Sequence, residues 1–216
     1  MLTPTTSPLS PCASLDGLPP AQRAGRVFLP ALAPFPVASW PLAGLLPVLD
    51  INGALTEALI AQRPFRGLAP VAGIFACDPF LRLADMAGTL RHAGITEVVN
   101  YPTVQCFEGD TAAALAAVGY RAEAEFRVLL QLLERGFSPI ACATGRSAVD
   151  LALALGLRRI LLHPGLTAPR DPLRWWGELA GHIAIEGGQA LAWKSPGEAP
   201  SDVRAQVSSP RRRIRL

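Results

Sequence analysis

Apolar residues gather in short runs that end in small clusters of polar, proline or glycine residues, and the arrangement recurs four times between Val71 and Thr167. The clusters are Cys77-Asp78-Pro79, Asn100-Tyr101-Pro102-Thr103, Thr144-Gly145-Arg146-Ser147 and His163-Pro164-Gly165-Leu166-Thr167. Most are followed by a stretch with helical periodicity, so the pattern predicts strand, loop and helix units that build a parallel sheet. The loops after such strands open on one face, where function is usually placed.

The element boundaries follow from the same pattern. Strands are predicted at Val71 to Ala76, Thr96 to Val99, Ser138 to Cys142, Ile160 to His163 and His182 to Ile185, with Arg26 to Leu32 as a weaker candidate. Helices are predicted at Asp50 to Gln62, where Asp50 or Asn52 can cap the start, and at Pro79 to His92, which Gly94 terminates. Further helices are expected at Thr111 to Ala117, Arg121 to Glu134, Ser147 to Leu155 and Pro172 to Ala180.

Composition narrows the picture. A chain of 216 residues that is 50% hydrophobic can bury one sizeable core. The net charge of +3 is small, and Arg211-Arg212-Arg213-Ile214-Arg215 carries much of the excess; with no interleaved aromatics it reads as a solvated terminus, so neither nucleic acid nor membrane is expected as a partner. Val27 to Leu49 lacks charge, but the prolines at 30, 34, 36, 41 and 47 would break a spanning helix. Cys12, Cys77, Cys106 and Cys142 have no CxxC spacing, which favours reduced thiols in a cytoplasmic protein over a zinc cluster.

Several residues at the predicted strand ends could carry chemistry. Asp78 can hold a Mg²⁺-bound water or act as a base, or it can simply cap the next helix. Asn100 and Thr103 can hold an oxyanion without adding charge, though a tight turn accounts for the same residues. His163, with Gly165 and Thr167 behind it, suits a general acid or base or a metal ligand, against a satisfied core histidine. Glu123 and Glu125 lie two apart on a helix and cannot share a face, so one can point toward the mouth, against a default of solvent exposure. Gly187-Gly188, placed after the last predicted strand, would let backbone N–H groups approach a phosphate.

Pro41-Leu42-Ala43-Gly44-Leu45-Leu46, Val71-Ala72-Gly73 through Asp78-Pro79, and Val99-Asn100-Tyr101-Pro102-Thr103-Val104 together resemble the phosphoenolpyruvate hydrolase-like family of TIM barrels. The resemblance continues through Gly119-Tyr120, Glu123, Glu125 and His163 to Thr167. The chain departs from the family pattern at Gln105, where the family has Gly, at Ala141-Cys142, at Pro164 and at Glu186-Gly187-Gly188-Gln189. The resemblance implies an α/β, TIM-barrel-like parallel sheet with crossover helices, here a shortened or incomplete barrel over residues 26–193. A disordered N-terminal arm over residues 1–25 and a flexible basic tail over 194–216 are expected to flank it.

It also implies a hydrolase or lyase, metal-assisted, acting on a small phosphorylated or phosphonate α-keto acid, with Asp78 and His163 as acid–base or metal residues. Asp78 would be the Mg²⁺ ligand, with Asn100, Thr103, Gly165, Thr167, Gly187 and Gly188 around the substrate. The alternative is a ligand-sensing or partner subunit that kept the fold and lost part of the site. An incomplete barrel leaves strand edges unpaired, so a homo-oligomer or a partner protein is expected.

Overall fold

The computed structural model describes residues 8–46 and 48–195. Seven strands, β1 (Ser10–Cys12), β2 (Arg26–Phe28), β3 (Val71–Gly73), β4 (Glu97–Val99), β5 (Ser138–Ala143), β6 (Arg159–Leu162) and β7 (Gln189–Ala192), form one sheet in sequence order. Every neighbouring pair is parallel. Eight α-helices accompany them among the described residues: α1 (Pro20–Arg23), α2 (Trp40–Ala43), α3 (Ile51–Ala61), α4 (Leu83–Ala93), α5 (Gly109–Ala117), α6 (Ala122–Glu134), α7 (Arg146–Ala154) and α8 (Pro172–Ile185). The result is an α/β, incomplete TIM-barrel-like fold, with seven strands among the described residues against the usual eight.

The period-2 alternation of each strand divides the core in two. Val27, Val71, Val99, Ile140, Leu161 and Leu191 belong to the inner cluster, while Phe28, Ala72, Val98, Ala141 and Ile160 face the helices. The outer layer is filled by helical side chains at i, i+3 and i+4 spacing, such as Met86, Ala87 and Leu90 of α4 and Phe126, Leu129 and Leu132 of α6. Burying each large apolar side chain of this kind contributes about 2 kcal/mol. Gly73 is required inside the barrel, because a Cβ there would stand 2.6 Å from Leu29 Cδ2 and 2.9 Å from the Tyr101 carbonyl oxygen.

The sheet curls until its two edges touch. Leu9 and Trp193 form a parallel bridge, in which Leu9 N–H donates to the Ala192 carbonyl (2.9 Å) and Lys194 N–H donates to the Leu9 carbonyl (2.7 Å). The edges expected to stay unpaired therefore meet at this point.

Three local expectations are corrected. β1 and α1 fall inside the predicted N-terminal arm: the apolar Leu9 and the small Ser10 and Cys12 are buried against the barrel. Residues 1–7 of that arm and 196–216 of the predicted tail lie outside the described residues. The predicted strand His182 to Ile185 is the last part of α8, because Trp176, Leu179 and Ile183 continue the helical period; the final strand lies beyond the glycines, at Gln189–Ala192. The helix predicted from Pro79 starts only at Leu83, with Pro79 to Arg82 in turns and Phe80 exposed. Asp50 does cap α3, its side chain accepting from Gly53 N–H at 2.7 Å.

If one backbone bridge closes the seam, the amides of Leu9 and Lys194 will exchange with solvent as slowly as those of β2 and β3. Hydrogen exchange read by NMR checks this, and rapid exchange at both positions would mean that the barrel stands open there.

Candidate functional site

Because the strands are parallel, the residues that follow them collect at one end of the barrel, and Asp78, Asn100, Thr103, Thr144 and His163 all lie there. Gly187 and Gly188 do not. They precede β7, in the turn that ends α8, and so sit at the opposite end; a Cβ on Gly188 would meet Ile183 Cγ2 at 2.8 Å and the Arg158 carbonyl oxygen at 3.1 Å. Gly188 is thus needed for close packing and Gly187 for its positive φ of 74°, and their place at the opposite end removes both from the ligand-binding set.

The centre of the mouth is a buried carboxylate. Glu125 is fully enclosed and is the one of the pair that turns to the mouth, against the default of exposure; Glu123 faces outward, paired with Arg127 at 2.7 Å. Glu125 lies on the face of α6 that carries Leu129 and Leu132, and from there it reaches the end of β4. Its Oε2 accepts from Thr103 Oγ1 (2.6 Å), Gln105 Nε2 (2.9 Å) and Asn100 Nδ2 (3.0 Å), and its Oε1 accepts from Val104 N–H (3.0 Å). No cation takes part in this set. Burial raises the Glu125 carboxyl to about 7, and the donors from Thr103, Gln105, Val104 and Asn100 offset only part of that shift.

Asn100 completes the brace by straddling β5. Its Oδ1 accepts from Cys142 N–H at 2.7 Å and its Nδ2 also approaches the Cys142 carbonyl oxygen at 3.4 Å, while Gln105 Nε2 donates to that same oxygen at 2.9 Å. Thr144 Oγ1 then donates to the Gln105 carbonyl at 3.2 Å. Asn100 and Thr103 thus spend their polar atoms on the fold. The loop they hold, over residues 100–107, includes a cis Tyr101–Pro102 bond and presents Cys106 to His163.

His163 is buried, its ring 5.2 Å from that of Tyr101 and 4.9 Å from that of Trp193, centroid to centroid. Its Nδ1 accepts from Gly165 N–H at 3.1 Å, which places the proton of the neutral ring on Nε2. Burial lowers the imidazole to about 4, so at neutral pH it is uncharged. The neighbouring Cys106 thiol, 3.8 Å from Nδ1, is pushed up to about 12, chiefly by burial, and is no thiolate at neutral pH. Gly165, at φ 81°, makes the turn that brings its amide back to the ring, and Thr167 is exposed beyond it.

Asp78 belongs to a separate network. Its Oδ2 accepts from Asn52 Nδ2 at 2.8 Å and its Oδ1 from Phe80 N–H at 2.8 Å, while Asn52 also pairs with both backbone groups of Phe75. No hydrogen bond or ion pair among the described residues joins Asp78 to His163. Both Asp78 oxygens already take N–H donors, and among the described residues no three His, Cys, Asp or Glu side chains are grouped to hold a metal ion. The donor set around Asp78 therefore does not fit a Mg²⁺ site, which wants an oxygen-rich octahedron. Cys12, Cys106 and Cys142 are buried small side chains and Cys77 is half-buried, with Cys12 and Cys77 also pushed up to about 12, chiefly by burial.

Gln105, Asn52 and Glu125 are the residues that sequence reasoning passed over. The signal for Glu125 was present: a carboxylate four and seven residues before Leu129 and Leu132 occupies an apolar helical stripe. No comparable signal marked Asn52 or Gln105, whose partners are far away in the chain.

The two buried titrating groups set opposite pH dependences. Glu125, raised in the folded state, contributes stability that is complete below its ordinary value near 4.5 and is lost as pH rises toward 7. His163, lowered in the folded state, contributes stability present above about 6.5 and lost as pH falls toward 4. Between these limits the two slopes cancel in the wild type, whereas Glu125→Gln keeps only the histidine slope. Urea unfolding at pH 4.5 and 6.5 should show the variant losing about 2–3 kcal/mol more than wild type on acidification, at ~1.4 kcal/mol per pH unit and proton. Equal pH dependence in both proteins would contradict the assignment. Glu125→Ala, which strands four buried donors, should cost about 3 kcal/mol or more at any pH in this window.

Among the described residues no helix is long and apolar enough to cross a membrane. The phosphoenolpyruvate hydrolase-like family model matches residues 37–171, a stretch that holds Asp78, Asn100, Thr103, Glu125 and His163 but leaves β1, β2 and β7 outside. The chain is 33% identical over 117 residues to the uncharacterized protein y4oT of Sinorhizobium fredii, which covers 54% of this chain and 59% of that protein. It is 34% identical over 129 residues to the tomato (Solanum lycopersicum) ToMV resistance protein Tm-1(GCR237), covering 58% of this chain and 17% of the tomato protein. The ToMV susceptible protein tm-1(GCR26) of the same plant matches to the same extent. The chain thus spans about three fifths of the bacterial relative and a sixth of the tomato ones. With the matched stretch covering well over half of its length and containing the whole Glu125 brace, this chain belongs to the phosphoenolpyruvate hydrolase-like family.

Proposed function

We propose that this chain is a ligand-binding barrel module that takes a small phosphate- or carboxylate-bearing α-keto acid at the carboxyl end of its strands without turning it over. The observation that carries this reading is the self-satisfaction of the mouth: Asn100, Thr103 and Gln105 are committed to Glu125, Asp78 to Asn52, and the acceptor nitrogen of His163 to Gly165. A general base needs a free acceptor within reach of substrate, and these groups have spent theirs on the fold.

What the mouth offers a ligand is the amino end of α7. It follows β5 through Thr144-Gly145, carries no side-chain cap, and begins with Arg146 and the exposed Ser147. Uncapped N–H groups and the positive end of the helix dipole suit a phosphate or carboxylate. The ligand class itself comes from the family description.

The second reading is a hydrolase acting on the phosphorylated or phosphonate acid, and one observation favours it: a carboxyl that titrates near neutrality stands at the barrel mouth. In that reading Glu125 exchanges a proton with substrate after residues 103–107 move aside.

Calorimetry with phosphoenolpyruvate and phosphonopyruvate, each with and without Mg²⁺, separates the two when run beside an assay for released phosphate. Binding without release, independent of Mg²⁺ and weakened about tenfold or more by Ser147→Glu, is the expected outcome. Phosphate release that disappears in Glu125→Gln would establish the hydrolase instead.

A further inference from the structure

Away from the mouth, α1, the loop after β1 and the loop between α3 and β3 enclose a cleft of about 780 Å³. Its wall carries three arginines, Arg23, Arg63 and Arg66, together with Gln62, Phe65 and Asp16. That volume falls in the range of small-molecule sites.

One of the three is held in place. Arg23 Nε donates to the Leu18 carbonyl at 2.8 Å, and its guanidinium carbon stands 5.8 Å from the centroid of the Phe65 ring. Phe65 is fixed in turn by its N–H, which donates to the Ala93 carbonyl at 2.8 Å. Arg63 and Arg66, both exposed, flank the same ring in sequence. Among the described residues none of the three has a carboxylate within ion-pair distance, although like charges gathered in one concavity repel.

Gln62, which ends α3, also lines the cleft. Asp16 and the carbonyl end of α3 offset part of the positive charge, and Asp16 is itself engaged by Ser14 Oγ at 2.9 Å, leaving the cleft net cationic.

We infer that this cleft is a binding site for a small molecule bearing one or two phosphate groups, recognised by the guanidinium groups of Arg23, Arg63 and Arg66. Guanidinium forks match phosphate oxygens two at a time. The cleft is separate from the α7 site, so the two inferences stand or fall independently.

Inorganic pyrophosphate is the probe, titrated calorimetrically into the full chain. Arg63 and Arg66 are exposed, so Arg63→Ala/Arg66→Ala should fold, which its thermal unfolding curve verifies. Titrated in a Ser147→Glu background, which silences the amino end of α7, the site predicts pyrophosphate binding that weakens at least ~tenfold when Arg63→Ala/Arg66→Ala is added and falls as salt is raised. Three results would overturn it: no binding to the folded wild type at millimolar pyrophosphate, equal affinity when the double substitution is added in that background, or loss of binding in Ser147→Glu, which would place the anion at the mouth. A short single-stranded DNA that binds in a manner dependent on Arg63 and Arg66, when pyrophosphate does not, would also refute the small-molecule assignment.

Discussion

One buried carboxylate organises the end of the barrel where function is expected. Glu125 gathers Asn100, Thr103, Val104 and Gln105 around itself, and those four residues define the path of the chain from β4 to the edge of the mouth. An acid with no cation beside it is an expensive group to enclose, and the donors recover much of the cost by meeting both oxygens. The consequence is a mouth whose polar side chains point at one another. Cys106, His163 and the ring of Tyr101 then pack over the inner cluster, with Trp193 of the seam completing the stack at 4.5 Å from Tyr101.

The same economy explains how seven strands enclose a core. Inner positions are held by Val27, Val71, Val99, Ile140, Leu161 and Leu191, and Gly73 lets Leu29 and the Tyr101 carbonyl come close where a larger residue would push them apart. Among the described residues the barrel interior is filled by side chains, and the two proposed sites lie outside it, at the amino end of α7 and at the arginine cleft.

Much of this was legible in the chain. Strand ends at Asp78, Asn100 and His163 follow from apolar runs stopped by proline and glycine, and Asp50 and Gly94 mark helix ends in their ordinary places. Two failures have physical causes. His182 to Ile185 alternates like a strand, yet Leu179 and Ile183 share the buried face of α8, so tertiary packing overrode local alternation. That slip carried Gly187 and Gly188 to the wrong end of the barrel. Glu125 was misplaced because two nearby carboxylates look alike in sequence, and only the phase of Leu129 and Leu132 separates the buried one from Glu123. The roles of Asn100 and Thr103 could not be read until their partner was known to be inside.

The central claim is that Glu125 is an enclosed carboxyl poised near neutrality, holding the β4 loop through four donors. Its own titration, followed through the side-chain carboxyl carbon by NMR in the intact protein, tests this most directly. A midpoint close to 7, moving together with the amide of Val104, is the result the account predicts. A midpoint at or below the ordinary value near 4.5, with Val104 unaffected, would contradict it.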